Sequence, residues 1–236
     1  IQQEILQKAA KHHLHIQFHG AYKPTGLNRT YPNELTREGA MNYEYDKWDK
    51  LVTPAADLNI VFTRMLAGST DYHLGGFRAL PEATFYPQDS KPFVMGTRCH
   101  MLGMFVVLEN YLPMIADFPD AYIGQPGFEV LQQIPGTWDE TRVPAAVPDK
   151  YVCVARRKKD KWYIGSIAGS DAAEFNLSFD FLGDKKYSAT VYSDAGDTNQ
   201  DANHLVKEIK TIDRDSVLKI KLAEGGGNCI LLLPVK

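Results

Sequence analysis

The hydrophobic positions of this chain follow two different periods. At the start, Ile1, Ile5, Leu6, Ala9 and Ala10 recur at helical spacing, and the helix they predict ends near Leu14. Leu14, Ile16 and Phe18 then share one face of a short strand that Gly20 closes. A helix feeding a strand is half of an alternating α/β unit. The run 58–66, apolar at Leu58, Ile60, Val61, Phe62, Met65 and Leu66, leaves little for solvent on either face and reads as a strand buried in a parallel sheet. A further helix, apolar on most sides, is expected over 98–116. From about Pro144 the period becomes two. Strands are expected at 151–156, 162–168, 175–182, 187–193, 204–209, 217–222 and 229–235, and the polar run 157–161 reads as a hairpin loop. With no helix among them, these strands indicate an antiparallel β-sandwich.

Pro135, Pro144 and Pro148 punctuate the junction, so the sequence divides into residues 1–140 and residues 141–236. A complete eight-fold α/β barrel takes roughly 250 residues. The first portion is too short to close one, and a small open domain would leave the strand ending at His19 without covering partners. The fold class read from the sequence is α/β plus all-β: if the first portion belongs to a barrel, it is the C-terminal part of a (β/α)8 barrel, and an antiparallel β-sandwich follows it. The chain opens on a helix with neither a capping residue, an initiator Met nor a signal peptide before it, and is read as beginning inside a larger protein.

Composition narrows the function classes. The 236 residues carry 26 Lys and Arg against 29 Asp and Glu, a net charge of −3, so there is no basic face to recruit nucleic acid. No apolar run is long enough to predict a membrane span. Cys99, Cys153 and Cys229 are too few and too far apart for a disulfide scaffold or a zinc knuckle; at most one bridge is possible. Aromatic residues, at 11%, supply either core or stacking platforms for sugar-like ligands.

Polar residues cluster just after the strand-like runs, at 19–26, 31–45 and 67–72, where α/β barrels keep their active sites. Glu38 and Glu44 form the sharpest pair. Across a Gly-containing turn, two such carboxylates can converge on one hard cation such as Ca²⁺ or bracket one bond, and crowding raises a carboxyl pKa toward that of a general acid. Glu34 reads as a solvated glutamate. His12, His13, His15 and His19 suggest a metal cluster, but alternation separates them. Gly225-Gly226-Gly227 reads as a loose turn without the lysine of a phosphate loop.

The segment 18–48 combines His19-Gly20, Arg29-Thr30-Tyr31-Pro32-Asn33, Arg37-Glu38-Gly39 and Glu44-Tyr45. It is followed by Phe62-Thr63-Arg64-Met65-Leu66-Ala67-Gly68 and Asp71-Tyr72. These motifs resemble glycoside hydrolase family 97, whose members carry an N-terminal β-domain, a catalytic (β/α)8 barrel and a C-terminal β-sandwich. The resemblance extends over the whole chain but only over the last part of such a protein. It implies that Glu44 is the catalytic proton donor, and that Glu38 binds an active-site calcium that Glu44 also touches. Gly20 stands where inverting members have a basic glutamate and retaining members have glycine, with an aspartate nucleophile taken from an earlier strand outside this chain. The implied function is a retaining, exo-acting α-galactosidase-like glycosidase acting with Ca²⁺ on oligosaccharides with a terminal α-linked sugar, in a periplasmic or secreted location. The implied partner is the N-terminal part of the same protein, without which this segment is expected to be inactive. An α-glucosidase of the same family and a noncatalytic carbohydrate-binding or structural module are the alternatives, the last applied above all to residues 144–236.

Overall fold

The computed structural model describes residues 1–235. Helix α1 (Gln2–Lys11) leads into β1 (Ile16–Phe18), and a short helix α2 (Leu27–Thr30) precedes β2 (Glu34–Arg37). β1 and β2 are parallel, with Phe18 opposite Arg37. The ladder continues beyond them. Arg37 bridges Thr70 and Leu74 bridges Ile115, both in parallel, through bonds such as Asp71 N–H to Arg37 C=O at 2.8 Å and Leu74 N–H to Met114 C=O at 2.9 Å. Four successive segments thus run side by side in one direction, and their C-terminal ends share an edge. Helix α3 (Pro54–Phe62) lies between the second and third segments in sequence. A small parallel pair, β3 (Ala79–Leu80) and β4 (Val94–Met95), precedes helix α4 (Arg98–Val107), and a short α5 (Phe128–Leu131) follows it.

Two readings of this region are corrected. Residues 58–66 are not a strand: most of the run belongs to α3. Its start signal lies upstream, where Thr53 Oγ1 accepts from Ala56 N–H at 3.1 Å and Pro54 occupies the first turn with its φ preset for a helix. An apolar run of that length suits either element, and the cap decides. The helix expected over 98–116 stops at Val107; Leu108 is extended, and 109–116 supply the fourth segment of the parallel ladder.

The remaining strands are β5 (Glu140–Val147), β6 (Tyr151–Lys158), β7 (Lys161–Ala168), β8 (Ala173–Ser178), β9 (Tyr187–Asp194), β10 (Leu205–Ile212), β11 (Val217–Leu222) and β12 (Gly227–Pro234). They build a 6-stranded antiparallel sheet in the order β10-β9-β12-β7-β6-β5 and a β11-β8 pair. Phe175, Leu177, Ile220 and Leu222 of that pair close over Ile164, Val191, Ile230 and Leu232 of the large sheet, which makes the expected sandwich. β5 escapes a reading by alternation because it is an edge strand, half-exposed and interrupted by a bulge.

The large sheet is covered on its other face as well. α4 packs across β7 and β12 with all ten of its residues buried. This explains why β7 and β12 are buried along nearly their whole lengths rather than at alternate positions. The helix approaches closely because glycines meet: a Cβ on Gly165 would stand 2.4 Å from the Gly103 carbonyl oxygen. The sheet also braces both helix ends, the first through the N-cap Thr97, whose Oγ1 accepts from His100 N–H at 3.1 Å. Asp194 Oδ1 accepts from Thr97 Oγ1 at 2.6 Å at the N-terminus, and Arg156 donates to the carbonyls of Val106 and Val107 at 2.7 and 3.2 Å at the C-terminus. An acid at the positive end and a base at the negative end both oppose the helix dipole.

The run Gly225-Gly226-Gly227 does lie in a turn between strands, closed by Gly226 N–H to Ala223 C=O at 2.9 Å, but it is packed rather than loose, since a Cβ on Gly227 would lie 2.4 Å from the His100 backbone. Cys99, Cys153 and Cys229 are free and buried. No helix among the described residues is long and apolar enough to cross a membrane.

Candidate active site

The C-terminal edge of the parallel ladder gathers the polar loops. His19 and Gly20 follow β1, Glu38 follows β2, Asp71 and His73 lie on the third segment, and Glu44 sits on a 3-10 turn, Tyr43–Lys47. Asn42 caps that turn by accepting from Glu44 N–H at 2.9 Å, which fixes the backbone that carries Glu44.

His19 is the hub. Its Nδ1 lies 2.9 Å from Asp71 Oδ2, and its Nε2 lies 3.1 Å from Glu44 Oε2 and 3.6 Å from Glu38 Oε1. With Asp71 and Glu44 both ionised, both ring nitrogens are satisfied only in the imidazolium form; when Glu44 carries a proton it can donate to Nε2, and a neutral ring protonated on Nδ1 then serves both carboxyls. Burial pulls the His19 pKa down, but the bond to Asp71 and the charges of Glu38, Asp71 and Glu44 outweigh it and raise the pKa above the usual histidine value. His73 stacks on this ring, with centroids 5.1 Å apart and planes 3° from parallel. His19, Glu44 and His73 can each turn one ligand atom toward a common point.

Glu38 is held on every side. One oxygen accepts from Gly20 N–H at 2.7 Å and the other from Asn42 Nδ2 at 3.0 Å. Its backbone is fixed by the buried Arg64, which donates to the carbonyls of Glu38 at 3.1 Å and Arg37 at 2.7 Å and to those of Gly68 and Ser69 just before the third segment. Gly39 lets the chain after Glu38 pass close to the loop after β1: its φ is +54°, and a Cβ there would lie 2.5 Å from Lys23 N. Asp46, buried on the turn that carries Glu44, is pushed up to about 8 by burial and by the nearby Asp57.

Glu38 and Glu44, paired by sequence spacing, therefore do meet at one point. Glu34 is corrected: it is buried, and its two oxygens accept from Arg37 at 2.6 and 3.0 Å. Arg37 also lies over the rings of Phe18 and Tyr22, so the pair is a structural plug beneath the site. Asp71 fell within the polar cluster at 67–72 and within the motif Asp71-Tyr72 but carried no assigned role, and His73 lay just outside both. The mistaken strand at 58–66 moved the segment that carries them out of register. His12, His13 and His15 stay on the exposed end of α1 and the approach to β1, away from the hub.

Residues 137–233 match the family described as "Glycosyl-hydrolase 97 C-terminal, oligomerisation", and residues 1–40 match "Glycoside hydrolase 97". The chain is 37% identical over 224 residues to a retaining alpha-galactosidase from Bacteroides thetaiotaomicron, covering 94% of this chain and 34% of that protein. It is 31% identical over 230 residues to a probable retaining alpha-galactosidase from Streptomyces bingchenggensis, covering 95% of this chain and 32% of that one. Among solved structures, a glycoside hydrolase family 97 enzyme from Pseudoalteromonas sp. strain K8 in complex with panose superimposes with a TM-score of 0.88 at 30% identity, over 98% of this chain and 36% of that one. The chain thus spans about a third of the length of these relatives. With family matches at both ends and whole-chain likeness in sequence and fold, the chain belongs to glycoside hydrolase family 97.

Proposed function

We propose that this chain carries the proton donor and part of the metal site of a retaining, exo-acting α-galactosidase-like glycosidase, within a longer protein. The observation that carries the reading is the convergence of Glu38 and Glu44 on His19, just past the ends of two parallel strands. The four-segment ladder is, on this reading, the last part of a (β/α)8 barrel, with residues 1–140 as that portion and 141–236 as the sandwich domain. The loops at the strands' C-terminal ends would then face the substrate.

Glu44 is the general acid: partly exposed and near the surface of the loop cluster, it gives its proton to the departing glycosidic oxygen and takes one back from water in the second step. His19, fixed by Asp71, orients that carboxyl. The donor set suits a hard cation, because each Glu38 oxygen accepts a single N–H bond and keeps lone-pair capacity, and Glu44 adds a second carboxylate. Glu38 and Glu44 would hold Ca²⁺, which when bound supplies positive charge for sugar hydroxyls and for the negative charge of the site. Other ligands would come from the rest of the protein.

Gly20 supports retention. It brings no carboxylate, its φ is +60°, and nothing lies within 4 Å of where a Cβ would stand, so the space beside Glu38 is open. The second carboxylate of the reaction therefore comes from outside residues 1–235 as a nucleophile. The names of the curated relatives support an α-galactoside with a terminal sugar as substrate. The panose complex of the solved relative favours an α-glucoside as the second reading. A periplasmic or secreted location, read by cell fractionation, belongs to the same proposal.

The test uses the full-length protein. Hydrolysis of nitrophenyl α-galactoside in preference to the α-glucoside is expected, with the α-anomer formed first by proton NMR. A first-formed β-anomer contradicts retention, and preference for the glucoside selects the second reading.

A further inference from the structure

Beneath the site lies a buried polar cluster that the chemistry above does not use. Asp57, fully buried on α3, accepts from Tyr43 Oη at 2.5 Å through one oxygen and from Tyr72 Oη through the other. The two rings meet edge to face, with centroids 5.5 Å apart. Tyr43 immediately precedes Glu44, and Tyr72 stands between Asp71 and His73. One carboxylate thus joins the two segments that carry the acid and the residues that orient it.

The cluster also reaches the sandwich. His100 Nε2 lies 3.3 Å from Asp57 Oδ2, and His100 Nδ1 lies 3.2 Å from the Gly226 carbonyl, which as an acceptor requires the proton on Nδ1. Burial raises the Tyr43 and Tyr72 pKa values well above the usual phenol value, so both remain donors.

Packing alone would hold two tyrosine rings, and a buried carboxylate is an expensive way to do so. What the carboxylate adds is a fixed point for both phenol oxygens. We propose that Asp57 is a positioning residue for the glycosidase reaction, a clamp that through Tyr43 and Tyr72 sets the distance between Glu44 and the Asp71–His19 pair. This rests on the reading of Glu44 as the acid. A misplacement of about 1 Å at a reacting group can cost on the order of 100-fold in rate, so loosening one arm of the clamp should be visible in turnover.

The variants Tyr43→Phe and Tyr72→Phe keep both rings and remove one arm each. In the full-length enzyme, kcat on an unactivated α-linked disaccharide is expected to fall about 10-fold for each. KM, and kcat on the activated nitrophenyl glycoside, should stay within about 2-fold, because that leaving group needs no proton. Since both arms end on Asp57, the double variant should lose less than the product of the single losses. Asp57→Asn, which keeps one acceptor, should retain more disaccharide turnover than Asp57→Leu; if Asp57→Leu does not fold, the tyrosine variants still decide.

Glu44→Gln is the control. If it splits the two substrates and the tyrosine variants do not, or if they lose equally on both, the clamp is wrong and the acid assignment stands. If Glu44→Gln shows no split, the acid assignment falls and the clamp's role falls with it.

Discussion

The sandwich and the region before it hold together by different means. The sandwich has a core of its own, in which β8 and β11 close over the large sheet with residues drawn only from β5 onward. The region before it has no comparable private core. Most of its buried apolar residues fall into two clusters, and each takes in residues of the sandwich: Val152, Val154 and Ile167 in one, Tyr163, Tyr192 and Leu231 in the other. Its strands are short, and its order comes from buried polar side chains such as the Glu34–Arg37 pair, Arg64 and Asp57. Apolar layers stabilise the sandwich, whereas a polar scaffold fixes loop backbones around the site. The proposed catalytic role calls for the second kind of order, because carboxylates must be placed as well as buried.

The difference can be broken at its strongest point first. Glu34→Ala leaves Arg37 buried without its carboxylate, and a loss of about 3–5 kcal/mol in chemical denaturation is expected. A loss below about 1 kcal/mol would mean that the polar scaffold is dispensable.

Next comes the seam. Gly165→Val drives a side chain into the Gly103 carbonyl and is expected to cost about 1–3 kcal/mol. If the regions unfold as one, Trp48 before the seam and Trp162 in the sandwich should report the same midpoint. Single-tryptophan variants in which the two midpoints separate would show independent units instead.

Glu129 on α5 gives a smaller and pH-dependent effect. It accepts from Tyr192 of β9 at 2.8 Å and from Lys207 of β10 at 2.6 Å, at the partly exposed rim of the seam. Burial alone would raise its pKa, but these bonds outweigh it and hold the carboxyl below its usual value. Because the folded pKa is depressed, the stabilisation is present above the unfolded value and disappears as pH falls through the folded one. Glu129→Gln should therefore cost about 0.2–1 kcal/mol at pH 7 and nothing measurable once the carboxyl is protonated in both states. A cost that persists in acid would assign the effect to packing.

Calcium gives the weakest expected signal. Residues 1–236 by themselves should bind Ca²⁺ with Kd weaker than about 1 mM, since two carboxylates leave most of the six to eight positions to water. Tight binding by calorimetry would mean that the site is complete without the rest of the protein.

How legible each part was in the sequence follows from the same difference. β8 and β11 have one face packed and one solvated, so alternation located them. β7 and β12 were found because they are bounded by turns, although α4 covers their second face. In the first region, a period could not separate strand from helix at 58–66, where the deciding signal was the Thr53-Pro54 cap. Glu38 and Glu44 were legible because they are close in sequence. The roles of Asp71, His73 and Asp57 were not, because they depend on partners elsewhere in the chain: His19 is 52 residues from Asp71, and Tyr43 is 14 from Asp57. Only the fold brings them together.

The central claim is that Glu44 is the acid of a glycosidase, and Glu44→Gln in the full-length protein tests it most directly. Turnover of an unactivated α-linked disaccharide is expected to fall by about 10²–10⁴ while the nitrophenyl glycoside loses far less, since only the former needs a proton on its leaving oxygen. Equal losses on both substrates, or none on either, would contradict it.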